Sequence, residues 1–214
     1  YPKEKGGQIN IHQLLTHSSG IPNARTKEKF FRPKDLVNQF AEEDLEFTPG
    51  EKFGYSNSGY VLLGYLLETV SEKSYEELLK EHIFEPLGME HSGFYRHRNL
   101  IKNMSSGYVK GFGDFFDMEN SDESSAYSAG GIYSTVENLF LWDKALYTDK
   151  LLSKSFRDLL FHKHIADPGY GGHYGYGWEL IQRNMGDTDS LLETISHGGR
   201  IGGYLASLRR IPSS

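Results

Sequence analysis

The 214-residue sequence contains no cysteine, no excess of basic residues and no long hydrophobic run. Without cysteine, the chain can form no disulfide scaffold, no zinc–thiolate site and no cysteine nucleophile. Lysine and arginine number 23 against 29 aspartates and glutamates, so the formal net charge is −6. This balance argues against a protein that binds nucleic acid or an anionic membrane, because both partners require a basic face. The longest apolar stretch, residues 60–67, is far shorter than the roughly 20 residues of a membrane-spanning helix.

Helix signals fill the first two-thirds of the chain. A hydrophobic fraction of 37% is sufficient for a folded core. Residues 58–70 are apolar nearly all round, which predicts a helix in the middle of the domain. Residues 97–128 lack periodicity and predict a long loop. Capping boxes, in which serine or asparagine is followed three residues later by glutamate or glutamine, predict helix starts at Asn10 with Gln13, Ser74 with Glu77 and Ser134 with Glu137.

The last third of the chain is typical of β-strands. Tyr176, Trp178 and Leu180 alternate at period two, and residues 186–189 have the composition of a hairpin loop. About three antiparallel strands are predicted from this point to the end of the sequence. A sheet of three strands leaves an open edge, which favours self-association of the chain.

Together these signals predict an α+β fold. We expect a mainly helical subdomain with long loops over residues 1–172, and part of an antiparallel sheet over residues 173–214. The sheet belongs to the same domain as the helices, and we expect the fold to be incomplete at both ends. No signal peptide is recognisable at the first residues, because no apolar segment follows them.

Three short motifs carry most of the chemical information. They are Leu-Leu-Thr-His-Ser-Ser-Gly-Ile at residues 14–21, Tyr-Ser-Asn-Ser-Gly-Tyr at residues 55–60 and His-Gly-Gly at residues 197–199. Each has an ordinary structural explanation when taken alone. Tyr55 and Asn57 fit the N-terminal cap of a helix, and the histidine with its glycines fits a turn at the end of a strand.

The three motifs occur in an order and at a spacing that resemble the serine β-lactamase and penicillin-binding-protein-like hydrolases, especially the class C β-lactamase, D-Ala-D-Ala carboxypeptidase and esterase branch. The resemblance implies a β-lactamase/transpeptidase-like fold and acyl transfer through a serine ester. It implies a small-molecule or peptide substrate, namely a D-amino-acid peptide, a β-lactam or an ester. No metal or organic cofactor and no nucleic acid are implied, and an exported, periplasmic or cell-surface location is expected.

The resemblance carries over to six residues. Tyr55 and Asn57 match the Tyr-x-Asn element of the family, and His197, Gly198 and Gly199 match its Lys/His-x-Gly strand. The backbone N–H of the next residue, Arg200, matches a donor of the oxyanion hole.

The chemistry of these groups agrees with such roles. The phenol of Tyr55 has an ordinary pKa near 10, so it can act as a base only beside a cation. Asn57 offers an amide that can donate to a substrate carbonyl. His197 stands where true β-lactamases most often have lysine, and a largely neutral imidazole holds a substrate carboxylate less firmly, although Arg200 can compensate. We therefore favour a peptidase or esterase over an efficient β-lactamase.

The chain departs from the family at the nucleophile. No serine in it is followed three residues later by lysine, and Thr26 with Lys29, which has the spacing, is interpreted as part of a solvated loop. The simplest interpretation is a fragment of a larger serine hydrolase, inactive by itself. The alternatives are a non-catalytic penicillin-fold module that binds peptides and, less favoured, a stand-alone helical interaction domain.

Other candidate residues receive structural interpretations. His17, Ser18 and Ser19 are expected to brace their own loop. His162 and His164 have the spacing of metal ligands on a strand, but a third ligand is not evident, so no metal site is predicted. The aromatic residues near the start of the sheet fit a cleft wall and a strand core equally well: Tyr170, Tyr174, Tyr176 and Trp178.

Overall fold

A computed structural model describes residues 6–24, 32–96, 100–117, 123–167, 169, 171–184 and 191–212. Helices occupy much of the first 160 residues, and an antiparallel sheet occupies most of the remainder. The predicted α+β class is therefore confirmed. The loop containing Thr26 and Lys29, the hairpin loop at residues 186–189 and the side chain of Tyr170 lie outside the described residues.

Seven α-helices are present in the described part of the chain. They are α1 (Ile11–Leu15), α2 (Pro33–Ala41), α3 (Asn57–Ser71), α4 (Tyr75–Leu79), α5 (Glu85–Leu87), α6 (Val136–Ala145) and α7 (Lys154–Leu160). A π-helical turn, Lys80–Phe84, joins α4 to α5, and a 3₁₀ segment, Glu123–Ala129, precedes α6. None of the described helices combines the length and the apolar character needed to cross a bilayer.

Two of the three predicted capping boxes are confirmed. Asn10 with Gln13 begins α1, and Ser74 with Glu77 begins α4. The third is wrong by one residue, because Thr135 caps α6 by accepting from the N–H of Asn138 at 3.3 Å. The hydroxyl of Ser134 lies instead 2.7 Å from that of Ser92.

Helix α3 runs through the middle of the helical part. Its first half is buried at Val61 and Leu62, but its second half reaches the surface, where Val70 is 84% exposed. The all-round burial predicted for this helix is therefore correct only for its first turns. Gly64 allows the 3₁₀ segment to cross closely, since a Cβ at this position would lie 2.1 Å from Oγ of Ser128.

The main sheet contains five antiparallel strands in the order of the sequence. They are β5 (Ile165–Asp167), β6 (Gly172–Tyr174), β7 (Glu179–Asn184), β8 (Leu191–Ile201) and β9 (Tyr204–Arg210). The three strands predicted from residue 176 to the end of the sequence are confirmed as β7, β8 and β9, but β5 and β6 were missed, and the sheet starts before residue 173. Strands β5 and β6 have three residues each, which is too short for an alternating pattern to show in the sequence. Tyr176 and Trp178 lie in the turn before β7, not in a strand.

The segment predicted as a long loop, residues 97–128, contains further regular structure. Strands β2 (Tyr108–Gly111) and β3 (Asp114–Asp117) form a hairpin there. Its two turn residues, Phe112 and Gly113, both have positive φ angles, 50° and 89°. The usual sequence signal for such a turn is asparagine or aspartate before glycine, and phenylalanine hides it. The remaining short strands, β1 (Gly93–Phe94) and β4 (Ile132–Tyr133), pair with each other.

Two hydrophobic clusters hold these layers together. The larger lies among the helices and includes Leu14, Phe40 and Leu62. The smaller joins Leu146, just after α6, to residues of the sheet and its adjoining turn, such as Trp178. The sheet therefore packs against the helical part, and the N-terminal end of α3 lies near the middle of β8.

Candidate active site

The N-terminal end of α3 presents two of the predicted site residues. Ser56 is the N-cap and accepts from the N–H of Gly59 at 3.2 Å. Tyr55 precedes the cap, and Asn57 is the first helical residue, whose N–H donates to Oδ1 of Asn23 at 3.0 Å. Because Ser56 caps the helix, the side chains of Tyr55 and Asn57 are not needed for capping.

The His-Gly-Gly motif lies inside a strand. His197, Gly198 and Gly199 pair with Leu208, Ser207 and Ala206 of β9. The alternative interpretation as a strand-end turn was therefore wrong. Strand β7 pairs only with the first part of β8, up to Ser196. Among the described residues, the second part of β8 thus has a partner on one side and an open edge on the other.

One large cleft brings all six predicted site residues together. Its volume is about 1830 Å³, and its wall includes Tyr55, Asn57, His197, Gly198, Gly199 and Arg200. Clefts that bind small ligands usually measure roughly 300–1,000 Å³, so there is room for an extended substrate. The cleft also contacts the end of the 3₁₀ segment and the stretch from there to α6, through residues 129–131 and 134.

The side chains of Tyr55 and His197 face each other across this cleft. Their rings are roughly parallel, with centroids 6.5 Å apart. Nε2 of His197 lies 3.0 Å from the hydroxyl of Tyr174. Tyr174 is only 1% exposed and does not line the cleft, so it belongs to the strand core and reaches the cleft only through His197.

His17 occupies a different position from the one expected. Its backbone N–H does bond within its own loop, to the carbonyl of Leu14 at 3.4 Å, but Nδ1 of its side chain accepts from the N–H of Ser56 at 3.0 Å. Its ring stacks on that of Tyr55, with centroids 4.2 Å apart. Burial, together with the charge of His197, lowers the pKa of His17 to about 3, so this imidazole is neutral at ordinary pH.

The two serines beside His17 do brace the loop, as predicted. The hydroxyl of Ser18 lies 2.9 Å from that of Thr16. Oγ of Ser19 accepts from the N–H of Ile21 at 3.3 Å. Both serines are buried, so neither is presented to the cleft as a nucleophile.

Sequence reasoning missed Tyr60. Its hydroxyl donates to the carbonyl of Leu15 at 2.9 Å and also hydrogen-bonds to Tyr174. Burial is the largest cause that raises the pKa of both phenols, so both stay protonated. Tyr60 is the last residue of the motif at residues 55–60, but nothing in the sequence distinguishes its role from that of the other apolar residues of α3.

The two histidines at metal-ligand spacing make other contacts. Nε2 of His164 lies 2.8 Å from the carbonyl of Leu159, and its ring stacks on Tyr176. Within the described ranges, no group of three or more histidine, aspartate or glutamate side chains is arranged to hold a metal ion.

Comparison with known proteins assigns this chain to a family. The beta-lactamase family model matches residues 1–214, and the chain belongs to that family. Its members are serine hydrolases of the β-lactamase and penicillin-binding-protein fold. The chain is similar to a solved structure of a D-stereospecific amidohydrolase from Streptomyces sp., with a TM-score of 0.83 and 26% identity, covering 96% of this chain and 65% of that one.

The chain is also similar in sequence to two penicillin-binding proteins from Bacillus subtilis (strain 168). The chain is 32% identical to the putative penicillin-binding protein PbpX over 173 residues, which is 81% of this chain and 43% of that protein. It is 30% identical to penicillin-binding protein 4* over 223 residues, which is 94% of this chain and 48% of that protein. The chain thus spans about half the length of these relatives.

Proposed function

We propose that the protein containing this chain is a serine acyl-hydrolase that cleaves amides or peptides of D-amino acids, or small esters. The observation that carries the proposal is the meeting of Tyr55, Asn57 and the open edge of β8 at one cleft. A phenol, a carboxamide and a strand edge are the groups that an acyl transfer needs beside its nucleophile.

The open edge of β8 is suited to an extended substrate. A peptide can pair with the free backbone groups of residues 197–201, as in other cases of strand addition. A Cβ added at Gly199 would meet no atom within 4 Å, so packing does not require glycine there. We infer that Gly198 and Gly199 leave space for the substrate backbone, and that the N–H of Arg200 stabilises the developing oxyanion.

The nucleophile in this proposal comes from another part of the protein. None of the serines in this chain has the Ser-x-x-Lys spacing. Such a lysine would supply the cation that allows Tyr55 to exchange protons near neutral pH, and Asn57 would donate to the carbonyl of the substrate. The 214 residues alone are therefore expected to be inactive.

The identity of residue 197 narrows the substrate class. Histidine is a weaker partner for a carboxylate than lysine is, and the carboxylate is a fixed feature of β-lactams. An amide or ester without that carboxylate loses less binding affinity when histidine replaces lysine. The similarity to a D-stereospecific amidohydrolase supports the same choice.

The test uses the intact protein with three substrates: a D-alanine p-nitroanilide, p-nitrophenyl acetate and a fluorescent penicillin. We expect hydrolysis of the first two, and an acyl adduct detected by mass spectrometry. Tyr55→Phe and Asn57→Ala should each lower kcat by about 100-fold or more, in line with loss of an acid–base or electrostatic group. Tyr108→Phe, in the exposed hairpin outside the cleft, is the matched control. Absence of turnover and of any adduct would refute the proposal.

A second candidate is a non-catalytic module that binds peptides. The open edge of β8 without a Ser-x-x-Lys pair in the chain favours it. It predicts that the intact protein binds a peptide ending in D-Ala-D-Ala by calorimetry, with no release of D-alanine over hours. Release of D-alanine in this experiment would favour the hydrolase.

A further inference from the structure

We propose that His17 is a positioning residue that holds the phenol of Tyr55 in its place in the cleft. This inference rests on the proposed function, because it concerns how the proposed acid–base group is oriented. His17 does not belong to the wall of the cleft, so it acts through Tyr55 and not on the substrate.

His17 contacts three consecutive residues around Tyr55. Its carbonyl accepts from the N–H of Gly54 at 2.8 Å, and Nδ1 accepts from the N–H of Ser56 at 3.0 Å. The imidazole ring stacks on the ring of Tyr55 between these two hydrogen bonds, at 35° between planes. The backbone on both sides of Tyr55 and the face of its ring are thus all fixed by one residue.

The conformation of His17 is itself unusual. Its φ angle is 54°, in the left-handed region, where the backbone of a non-glycine residue is strained. The next residue anchors this turn, because the N–H of Ser18 donates to the carbonyl of Gln13 at 2.8 Å and its carbonyl accepts from Gly50 at 2.7 Å. Such strain is retained when the surrounding contacts determine it, and it is common at functional sites.

The ring of His17 is enclosed by other aromatic residues. Ring centroids of Tyr60 and Tyr174 lie 4.9 and 5.0 Å from it, and that of Phe53 lies at 5.9 Å. The titratable groups that face the imidazole are the phenols of Tyr55, Tyr60 and Tyr174 and, through charge, His197. The low pKa of His17 agrees with the geometry, since a protonated Nδ1 could not accept from Ser56.

Two substitutions distinguish the role of Nδ1 as the acceptor for the N–H of Ser56 from the role of the rest of the side chain. In His17→Asn, the amide oxygen can take the position of Nδ1, and asparagine tolerates the left-handed region. In His17→Gln, the amide lies at the position of Nε2, so the N–H of Ser56 loses its acceptor. Misplacement of a catalytic group by about 1 Å can cost about 100-fold in rate.

We expect His17→Gln to lower kcat by about 100-fold and His17→Asn by less than about 10-fold. KM should stay within about twofold in both variants, because His17 does not touch the substrate. In the intact protein, the amide of Ser56 should exchange its hydrogen much faster in His17→Gln than in His17→Asn, as measured by NMR. The unfolding midpoint of each variant is recorded, so that kcat refers to folded protein.

The outcomes distinguish this inference from the proposed function. Equal kcat in the two variants, or effects confined to KM or to the unfolding midpoint, would overturn the role of His17 while leaving the hydrolase intact. If Tyr55→Phe keeps full activity, or if the wild-type protein has none, the proposed function fails. In that case the hydrogen-exchange rate of the Ser56 amide still tests the role of His17. Faster exchange in His17→Gln than in His17→Asn supports the positioning of Tyr55 by His17, and equal exchange in both variants refutes it.

Discussion

At the scale of single residues, His17 couples the stability of the fold to pH. Its pKa falls from 6.5 in the unfolded chain to about 3 in the folded protein. The unfolded state therefore binds a proton more readily, and acid favours unfolding between these two values. We expect the free energy of unfolding to fall by about 2 kcal/mol from pH 7.5 to pH 5, a range in which carboxylates stay largely ionised. Urea unfolding at several pH values measures this.

His17→Asn provides the control for this pH dependence, because it removes the titrating group. The slope between pH 7.5 and pH 5 should become shallower, although the pKa of His164 is also lowered, chiefly by burial, and contributes with the same sign. His164→Gln should remove only the smaller part of the pH dependence of the unfolding free energy, since His164 is less buried than His17. An unchanged slope in His17→Asn would contradict the assignment.

Gly199 provides a second prediction at this scale. A methyl group there meets no protein atom within 4 Å, so Gly199→Ala should fold with unchanged or slightly higher stability. The same methyl group would occupy the space proposed for the substrate backbone, and we expect kcat/KM to fall by about 10-fold or more. Gly111→Ala, in the hairpin and outside the cleft, should leave both quantities unchanged. Equal activity of Gly199→Ala and wild type would argue against substrate lying along β8.

The residues that line the cleft could be predicted from the sequence, but those that support it could not. Tyr55, Asn57 and the His-Gly-Gly motif occur as short local patterns, and the structure places them together. The contacts of His17 with Ser56, and of Tyr174 with His197, join residues 39 and 23 positions apart along the chain. No local pattern encodes such a pair, because its two members meet only after the layers have packed.

At the scale of helices and strands, elements marked by neighbouring residues could also be predicted, whereas elements defined by distant partners could not. The starts of α1 and α4 could be predicted because a capping box lies within four residues of sequence. Strands β5 and β6 could not, because three residues show no period and the strands are defined by their hydrogen-bonded partners. The hairpin of β2 and β3 was missed because a phenylalanine occupies its turn.

The crossing of α3 and the 3₁₀ segment leads to a prediction about Gly64. A Cβ there would lie 2.1 Å from Oγ of Ser128, which donates to the carbonyl of Tyr60, and 2.8 Å from the ring of the buried Tyr127. Gly64→Ala should therefore destabilise the protein by about 1–3 kcal/mol, despite the better helix propensity of alanine. Gly130→Ala is the matched control, since its nearest neighbour, Cβ of Ala126, lies at 3.8 Å. Equal unfolding midpoints for the two variants would contradict this packing.

At the scale of the whole molecule, the outer edge of the sheet predicts association of the isolated chain. Strand β9 is an edge strand within the described residues, and Leu205 on it is 81% exposed. Unpaired backbone groups beside exposed apolar side chains favour pairing between copies. We expect the sedimentation coefficient of the 214-residue chain to rise with concentration, and Leu205→Lys to suppress this rise. A concentration-independent monomer would refute the prediction.

Arg210 links the two layers of the molecule and supplies the last prediction. It lies at the end of β9, is buried, pairs with Asp143 of α6 at 2.6 Å and stacks on the rings of Tyr147 and Phe161. Arg210→Ala would leave Asp143 without its cation and empty the space between the rings, so we expect a loss of about 3 kcal/mol in the free energy of unfolding. Arg210→Met with Asp143→Asn removes both charges, keeps the volume and should recover at least half of this loss. If the double variant is as unstable as Arg210→Ala, the loss comes from the ion pair and the stacked guanidinium themselves, and not from an unpaired Asp143 or the space left between the rings.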